Sequence, residues 1–176
     1  MPNLPPIDQE YLLGVLVDLL NIPSPTGFAH QAVAYVEDAL AAYPELDVHQ
    51  TRKGALVAAW PGVQHDTPRA LTAHVDTLGA MVKEIKANGR LKLTKIGGFA
   101  WNTVEGEGCT VFTNDGERVR GSLLLAHASG HVYGADVNDL KRADDNMEVR
   151  LDARTASADE TLELGIEIGD APAWLP

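Results

Sequence analysis

Residues 79–98 read GAMVKEIKANGRLKLTKIGG, in which two runs of strand-forming residues flank the pair Asn88-Gly89. This pattern predicts a β-hairpin whose type I′ turn takes its positive φ angles from Asn88 and Gly89. A second hairpin is predicted around Asn114–Gly116, within CTVFTNDGERVRGSLLLA (residues 109–126). No helical period runs through these residues. The chain after residue 78 is therefore expected to form a small β-rich barrel or sandwich.

The end of the chain predicts further short elements. Residues 147–151 have the composition of a strand. Ser157 and Glu160 then fit a capping box at the start of a short helix, and Gly165 fits its C-terminal cap. GIEIGD, residues 165–170, is expected to be another strand.

The N-terminal part shows a different pattern. Apolar residues recur at helical spacing from Ile7 to Leu20, and Asp8 is the predicted N-cap of this helix. A second helical pattern stops at Pro44. Short apolar runs follow, and we expect them to form strands, the last two of them buried. These runs lie around Val48, at residues 56–60 and at residues 70–76. The sequence thus predicts an α/β fold class, with an α/β part over residues 1–78 and a β-rich part over residues 79–170.

Composition restricts the class of protein. The chain has 176 residues, of which 45% are hydrophobic and 22% charged, enough apolar material for a core. Its net charge of −11 would repel phosphate backbones and anionic lipid, so nucleic acid and membranes are not expected partners. The single Cys109 cannot form an intrachain disulfide, and the start MPNLPPIDQE does not resemble an export signal. We expect a cytoplasmic protein.

The pair His74 and Asp76 is the strongest chemical feature. It closes a predicted buried strand, where ligands of open α/β sheets bind. Side chains two residues apart on a strand project to the same side, so Asp76 could hold one ring nitrogen of His74 while the other binds a metal. By pattern alone, such a pair is more often a hydrogen-bonded strand end than a metal site.

Three other groups are weaker candidates. His127 and His131 have the spacing of ligands on one helical face, but Ser129-Gly130 argue against a helix there and favour a strand followed by a polar turn. Acidic residues 144–145 are more often solvated loop residues in so anionic a chain. Cys109 lacks a His and Asn partner at a recognisable spacing, so a buried structural thiol is expected.

Five segments, in this order, resemble peptidase family M forty-two, the dinuclear metal aminopeptidases that include glutamyl aminopeptidases. The narrower details DTLGAMVK, ASGH and NMEVRLD are similar to the branch associated with the bacterial osmoprotectant N-acetylglutaminylglutamine amide. The likeness covers residues 12–170. The five segments are IPSPTG, AHVDTLG, NGRLKLTKIGG, TVFTNDG followed by RGSLLLAHASGH, and SADETLELGIEIGD.

The resemblance implies an α/β/α catalytic domain interrupted by a β-barrel dimerisation domain. On this basis residues 1–78 are the N-terminal part of the catalytic domain, residues 79–170 the inserted barrel, and residues 171–176 the return to the catalytic domain. The resemblance also implies two divalent metals per active site, Zn or Co, with His74 a ligand of one of them and Asp76 the residue that orients it. The implied reaction releases N-terminal residues from short peptides, and the implied assembly is a homo-oligomer through the β domain.

The remaining metal ligands and the general base of the family lie beyond the segment that resembles GIEIGD, so none is assigned here. The sequence ADDN, residues 143–146, resembles the family's bridging Asp motif, but it precedes GIEIGD instead of following it, and we reject Asp144 and Asp145 as ligands. A catalytic zinc normally takes three protein ligands. We therefore expect the chain to be the N-terminal portion of a longer peptidase, or a truncated gene product, and to be inactive alone. The strands predicted at residues 56–60 and 70–73 would then lack covering neighbours and expose an apolar patch and a strand edge.

Two other readings stay open at this stage. In one, the chain is a non-catalytic assembly or binding module, and His74 is an ordinary strand-end histidine. In the other, it acts on glycans, which would require two carboxylates about 5 to 9.5 Å apart, and no spacing in the sequence nominates such a pair.

Overall fold

The computed structural model describes residues 6–64 and 66–174, and it is a mixed helix and strand structure. A single 3₁₀ turn spans Trp101–Thr103. The helices are α1 (Gln9–Leu20), α2 (His30–Leu40), α3 (Gly130–Tyr133), α4 (Asp136–Asp139) and α5 (Ala158–Leu162); the strands are β1 (Asp47–Gln50), β2 (Leu56–Ala59), β3 (Gly79–Ile85), β4 (Leu91–Ile96), β5 (Gly108–Phe112), β6 (Arg118–Leu125), β7 (Met147–Leu151) and β8 (Ala171–Ala173).

The strands from β3 to β8 close into a barrel in the order β3-β4-β7-β6-β5-β8. Every neighbouring pair of strands is antiparallel. Because the ring of strands is closed, the barrel has no open edge. Alternate residues of the strands from β3 to β7 point inward and form one apolar core. This confirms the predicted β-rich region after residue 78. The core residues are Ala80, Val82, Leu91, Leu93, Trp101, Cys109, Val111, Leu123, Leu125, Met147, Val149, Leu151 and Ile166.

Both predicted hairpins are present, but the predicted type I′ turn is wrong. In the first hairpin Gly89 has a φ of +77°, while no described residue other than glycine has a positive φ. The Gly89 amide donates to the carbonyl of Lys86, and the Lys86 amide donates to Arg90, both at 2.8 Å. This is a three-residue loop in which only the last residue is left-handed, so a single glycine suffices. The turn at Gly116 has the same form.

The last segment of the barrel differs from the sequence prediction. α5 begins as predicted, since Ser157 Oγ accepts from the Glu160 amide at 3.2 Å. Residues 165–170, predicted as a strand, form a turn instead, and the strand that closes the barrel is β8. The buried carboxylate of Asp170 holds this turn by accepting from the amides of Glu167 at 2.8 Å and Asn114 at 3.2 Å. The barrel thus extends three residues beyond the predicted limit of 170, while the division into domains stays a prediction.

The N-terminal region contains α1, α2 and a separate two-stranded sheet of β1 and β2. The predicted N-cap is confirmed, since Asp8 accepts from the Tyr11 amide at 3.0 Å. No residue of α1 is buried, and within α2 only Ala32 is. The apolar surface expected to be exposed at residues 56–60 and 70–73 is exposed at Val57, Trp60 and Leu71. The sequence did not predict that α1 is exposed as well, at Tyr11, Leu12, Leu13, Leu16, Val17 and Leu20.

The predicted buried strands of this region are the main error. Residues 70–76 form no strand, and Leu71 is fully exposed. β2 forms where predicted, but only Leu56 in it is even partly buried. An apolar run becomes a buried strand only when neighbouring elements cover both of its faces. The described residues provide no such cover.

One buried charge lies in the barrel wall. Glu148 on β7 is 2% exposed and accepts from Lys86 Nζ at 2.6 Å and from the Arg90 guanidinium. The two cations flank the first hairpin turn, and Thr161 Oγ1 on α5 donates to the Gly89 carbonyl at 2.8 Å. Paired in this way, the carboxylate fixes the turn at the end of the barrel.

None of the helices in the described part of the chain is both long and apolar enough to cross a membrane.

Candidate functional site

His74 and Asp76 are in contact, although the strand predicted to carry them does not form. His74 Nδ1 and Asp76 Oδ1 are 2.7 Å apart. The imidazole is 82% exposed, so Nε2 is the ring nitrogen left free for a ligand. When Nδ1 is protonated and donates a hydrogen bond to Asp76, Nε2 presents a lone pair, as it does in metal-binding histidines.

A turn that lies far away in sequence holds this pair. Thr26 Oγ1 donates to Asp76 Oδ2 at 3.0 Å, so the two carboxylate oxygens have separate partners. Ser24 Oγ donates to the Val75 carbonyl at 2.6 Å, and the Thr77 amide donates to the Ser24 carbonyl at 3.0 Å. Pro25 and Thr77 form an isolated parallel bridge. The turn therefore fixes the backbone and one side chain of the site.

The hydrogen bonds also change the electrostatics of Asp76. The Thr26 hydroxyl and then His74 hold the pKa of this carboxyl below its usual range. Both partners stabilise the charged carboxylate. Asp76 is thus an anion over the physiological pH range, suited to accept a hydrogen bond from an imidazole N–H.

The donor set is incomplete for a metal. Within residues 6–64 and 66–174, no group of three or more His, Cys, Asp or Glu side chains is placed to hold an ion. A catalytic zinc normally takes three protein ligands plus water. The described residues therefore fit one ligand and its orienting carboxylate, and they do not form a whole metal site.

The rejected acidic pair has other partners. Asp144 accepts from the Trp101 indole nitrogen at 2.6 Å. Asp145 pairs with Lys92 Nζ at 2.7 Å, and this hydrogen bond lowers the pKa of Asp145. Both carboxylates therefore contact barrel residues, and neither forms a hydrogen bond with His74 or Asp76.

The remaining candidates show no catalytic arrangement. His127 stacks on Tyr133 with ring centroids 4.2 Å apart. The sequence predicted no helix between His127 and His131, and this is wrong for His131, because the one-turn helix α3 begins at Gly130. His127 lies outside α3, so the two histidines do not share a helical face. Cys109 is buried in the barrel as predicted, and burial raises its pKa to about 12. A thiol with that pKa is not a nucleophile near neutral pH.

Ser24 and Thr26 make contacts at the site that were not predicted from sequence. Both lie in IPSPTG, a segment that contributed to the family resemblance, and their hydroxyls next to proline were the available signal. Two cavities of about 350 and 410 Å³ lie on the barrel and share residues 150–152. His74 and Asp76 line neither cavity, so we base the candidate site on the side-chain geometry.

Comparison with known proteins identifies the family. Residues 54–174 match the family model of the M42 glutamyl aminopeptidases. A Bacillus subtilis protein, YhfE, provisionally named an aminopeptidase, is 44% identical over 162 residues, which are 92% of this chain and 46% of that protein.

Solved structures show the same fold. A TET aminopeptidase from a marine sediment archaeon of the Thaumarchaeota aligns over 94% of this chain and 45% of its own, with a TM-score of 0.81 and 23% identity. The TET1 peptidase of Pyrococcus horikoshii, described as assembling into a tetrahedron or a large octahedral shell, aligns over 93% of this chain and 46% of its own, with a TM-score of 0.69 and 19% identity. The chain thus spans a little under half the length of these relatives. Because the family model covers more than half of the chain, this chain belongs to the M42 glutamyl aminopeptidase family.

Proposed function

We propose that the chain contributes to a metal-dependent aminopeptidase that releases N-terminal residues from short peptides. The observation that carries this proposal is the 2.7 Å contact between His74 Nδ1 and Asp76 Oδ1, which leaves Nε2 of an exposed imidazole as the free ring nitrogen. Family membership favours peptide hydrolysis over other uses of such a pair. His74 is the proposed ligand, and Asp76 is the proposed orienting residue.

The metals in this proposal are two divalent ions, Zn or Co, as the family resemblance implies. When bound, such ions polarise the scissile carbonyl and make a bound water nucleophilic. The role of this chain's own residues is narrower. Asp76 fixes the proton of His74 on Nδ1 and keeps Nε2 available. Since no group of three or more His, Cys, Asp or Glu side chains is placed to hold an ion among the described residues, we propose that the 176-residue chain has no peptidase turnover by itself.

The proposed assembly is a homo-oligomer through the barrel, in the cytoplasm. The Pyrococcus horikoshii TET1 peptidase, which can assemble into a tetrahedron or a large octahedral shell, supports an oligomer. The free, buried Cys109 suits a reducing compartment. The charge of −11 disfavours nucleic acid and lipid surfaces as partners. The narrower likeness to the osmoprotectant branch stays a prediction.

One observation favours a second candidate, a non-catalytic assembly module. The barrel closes on itself and contains nearly all of the buried apolar core, whereas His74 lies in an exposed segment outside it. In this alternative, His74 and Asp76 are a hydrogen-bonded pair without a ligand.

The test uses the longest protein that the gene encodes, loaded with Zn²⁺ or Co²⁺ and given chromogenic aminoacyl substrates. His74→Ala is expected to lower kcat/KM by about 100-fold or more, and Asp76→Asn by roughly 10- to 100-fold, the usual cost of losing an orienting carboxylate. His49→Ala, on the exposed strand β1, is the matched control and should keep wild-type activity. Full activity in the His74→Ala protein would exclude the ligand role, and absence of activity in the wild type would favour the assembly module.

A further inference from the structure

The turn from Ser24 to Phe28 lies between the barrel and the His74 pair. On the barrel side, Pro25 packs so closely on Gly79 of β3 that a Cβ added there would lie 2.7 Å from Pro25 Cβ. The ring of Phe28 is 6.0 Å from that of Phe112 on β5, centroid to centroid. Ser24 is fully buried. These contacts attach the turn to the closed barrel.

The opposite side of the turn holds residues 75–77. Ser24 bonds the Val75 carbonyl and the Thr77 amide through its side chain and its backbone. Residues 70–74, which precede this contact, are exposed and outside any strand. In the described part of the chain, the segment that carries His74 is therefore held at the turn and where it enters β3.

Thr26 completes this connection at the side-chain level. Its hydroxyl donates to Asp76 Oδ2 at 3.0 Å, while Oδ1 lies 2.7 Å from His74 Nδ1. A carboxylate bound at one oxygen can rotate about its Cβ–Cγ bond and tilt away from the imidazole. A second partner on the other oxygen removes that freedom, and backbone contacts alone do not supply it.

We propose that Thr26 is a positioning residue that fixes Asp76 and, through it, the tautomer of His74 in which Nε2 is unprotonated. This inference rests on the proposed function, in which Nε2 is the metal-binding atom. Thr26 touches neither metal nor substrate in this proposal. It transmits the rigidity of the barrel to a site that lies outside the barrel.

The experiment measures the tautomer of His74 directly, without metal or substrate. Two-bond ¹⁵N–¹H couplings give the ratio of Nδ1–H to Nε2–H imidazole at about pH 8, above the ordinary histidine pKa of about 6.5. Thr26→Val removes the hydroxyl at nearly constant volume, Thr26→Ala is a second variant without it, and Thr26→Ser retains it. Thr72→Val is the matched control. Thr72 lies two residues before His74, is exposed, and forms no side-chain hydrogen bond with the described residues.

The wild type is expected to favour Nδ1–H. Thr26→Val and Thr26→Ala should lower the Nδ1–H to Nε2–H ratio by about three- to tenfold, the effect of one ordinary hydrogen bond. Thr26→Ser and Thr72→Val should keep the wild-type ratio. An unchanged ratio in both variants that lack the hydroxyl, or an equal drop in Thr72→Val, would overturn the proposal. Because no metal or turnover enters the measurement, failure here and failure of the aminopeptidase proposal are separate results.

Discussion

Leu123 in β6 and Leu13 in α1 show how differently two regions of this molecule use the same residue type. Leu123 is fully buried in the barrel, whereas Leu13 is 56% exposed on a helix without a buried residue. The barrel closes its own hydrogen-bonded edges, but the sheet of β1 and β2 has two strands and remains open. The comparison teaches that the barrel is complete as it stands, while the N-terminal region presents apolar surface that only another element or another molecule could cover.

The largest expected effect is on core packing. Leu123→Ala should lower the free energy of unfolding by about 2–5 kcal/mol, because it removes transfer energy and leaves a cavity. Leu13→Ala, the matched control in α1, should change it by less than about 0.5 kcal/mol. Urea denaturation of both variants gives the comparison. Equal losses at the two positions would show that α1 is as well packed as the barrel, contrary to this account.

The contact between the two regions can be broken at Gly79. Gly79→Ala places a methyl group against the rigid ring of Pro25 and near the Pro172 carbonyl, so it should destabilise the protein by about 1–3 kcal/mol. Gly98→Ala is the control, since a Cβ there meets no atom within 4 Å. Thermal unfolding measures both. If the two alanine variants are equally stable, the close approach of Pro25 to the barrel does not exist in solution.

The third prediction concerns the pH dependence of stability that the buried thiol of Cys109 causes. Its pKa of about 12 exceeds the value of about 8.5 for an unfolded thiol, so the stabilising term is present below pH 8.5 and is lost as pH rises towards 12. Stability should fall by at most about 1.4 kcal/mol per pH unit above 8.5 from this group. The Cys109→Ala chain should lack that part of the slope in urea titrations between pH 8 and 10. Parallel slopes for both proteins would mean that the thiol ionises in the folded barrel.

The smallest effect is expected at the barrel surface. Lys92 lowers the pKa of Asp145, which is 80% exposed, so this pair stabilises the fold above the unfolded carboxyl pKa and ceases to do so as pH falls through the lowered value. Lys92→Met should return the Asp145 carboxyl signal in ¹³C NMR titrations to an ordinary midpoint, with little change in stability. Added salt should reduce the wild-type shift. A midpoint unaffected by Lys92→Met would refute the ion pair.

Local sequence predicted the elements whose determinants are local. The caps Asp8 and Ser157 and the two hairpins were predictable because a side chain or a turn glycine acts within three or four residues. The type of the first hairpin turn was not predictable, because the pair Asn88-Gly89 suits both a type I′ turn and a three-residue loop. In the three-residue loop Gly89 alone supplies the positive φ. Residues 70–76 were predicted wrongly as a strand because burial depends on partners that an apolar run does not encode.

The candidate site was predictable in part for the same reason. The contact of His74 with Asp76 spans two residues and followed from sequence, even without the strand. Thr26 lies 50 residues from Asp76, and only the folded chain brings them together. Further metal ligands stay a prediction from the family resemblance, since no group of three or more His, Cys, Asp or Glu side chains is placed to hold an ion in the described part of the chain.

We propose that this chain supplies one ligand, His74, and its orienting carboxylate, Asp76, but no complete metal site. The most direct test is elemental analysis of the purified 176-residue chain after incubation with Zn²⁺ and Co²⁺, together with release of amino acids from chromogenic aminoacyl substrates. We predict that the 176-residue chain binds no stoichiometric metal and does not turn over these substrates. About two metals per chain with turnover would contradict it, and would mean that other residues, with Asp144 and Asp145 the first to examine, complete the site.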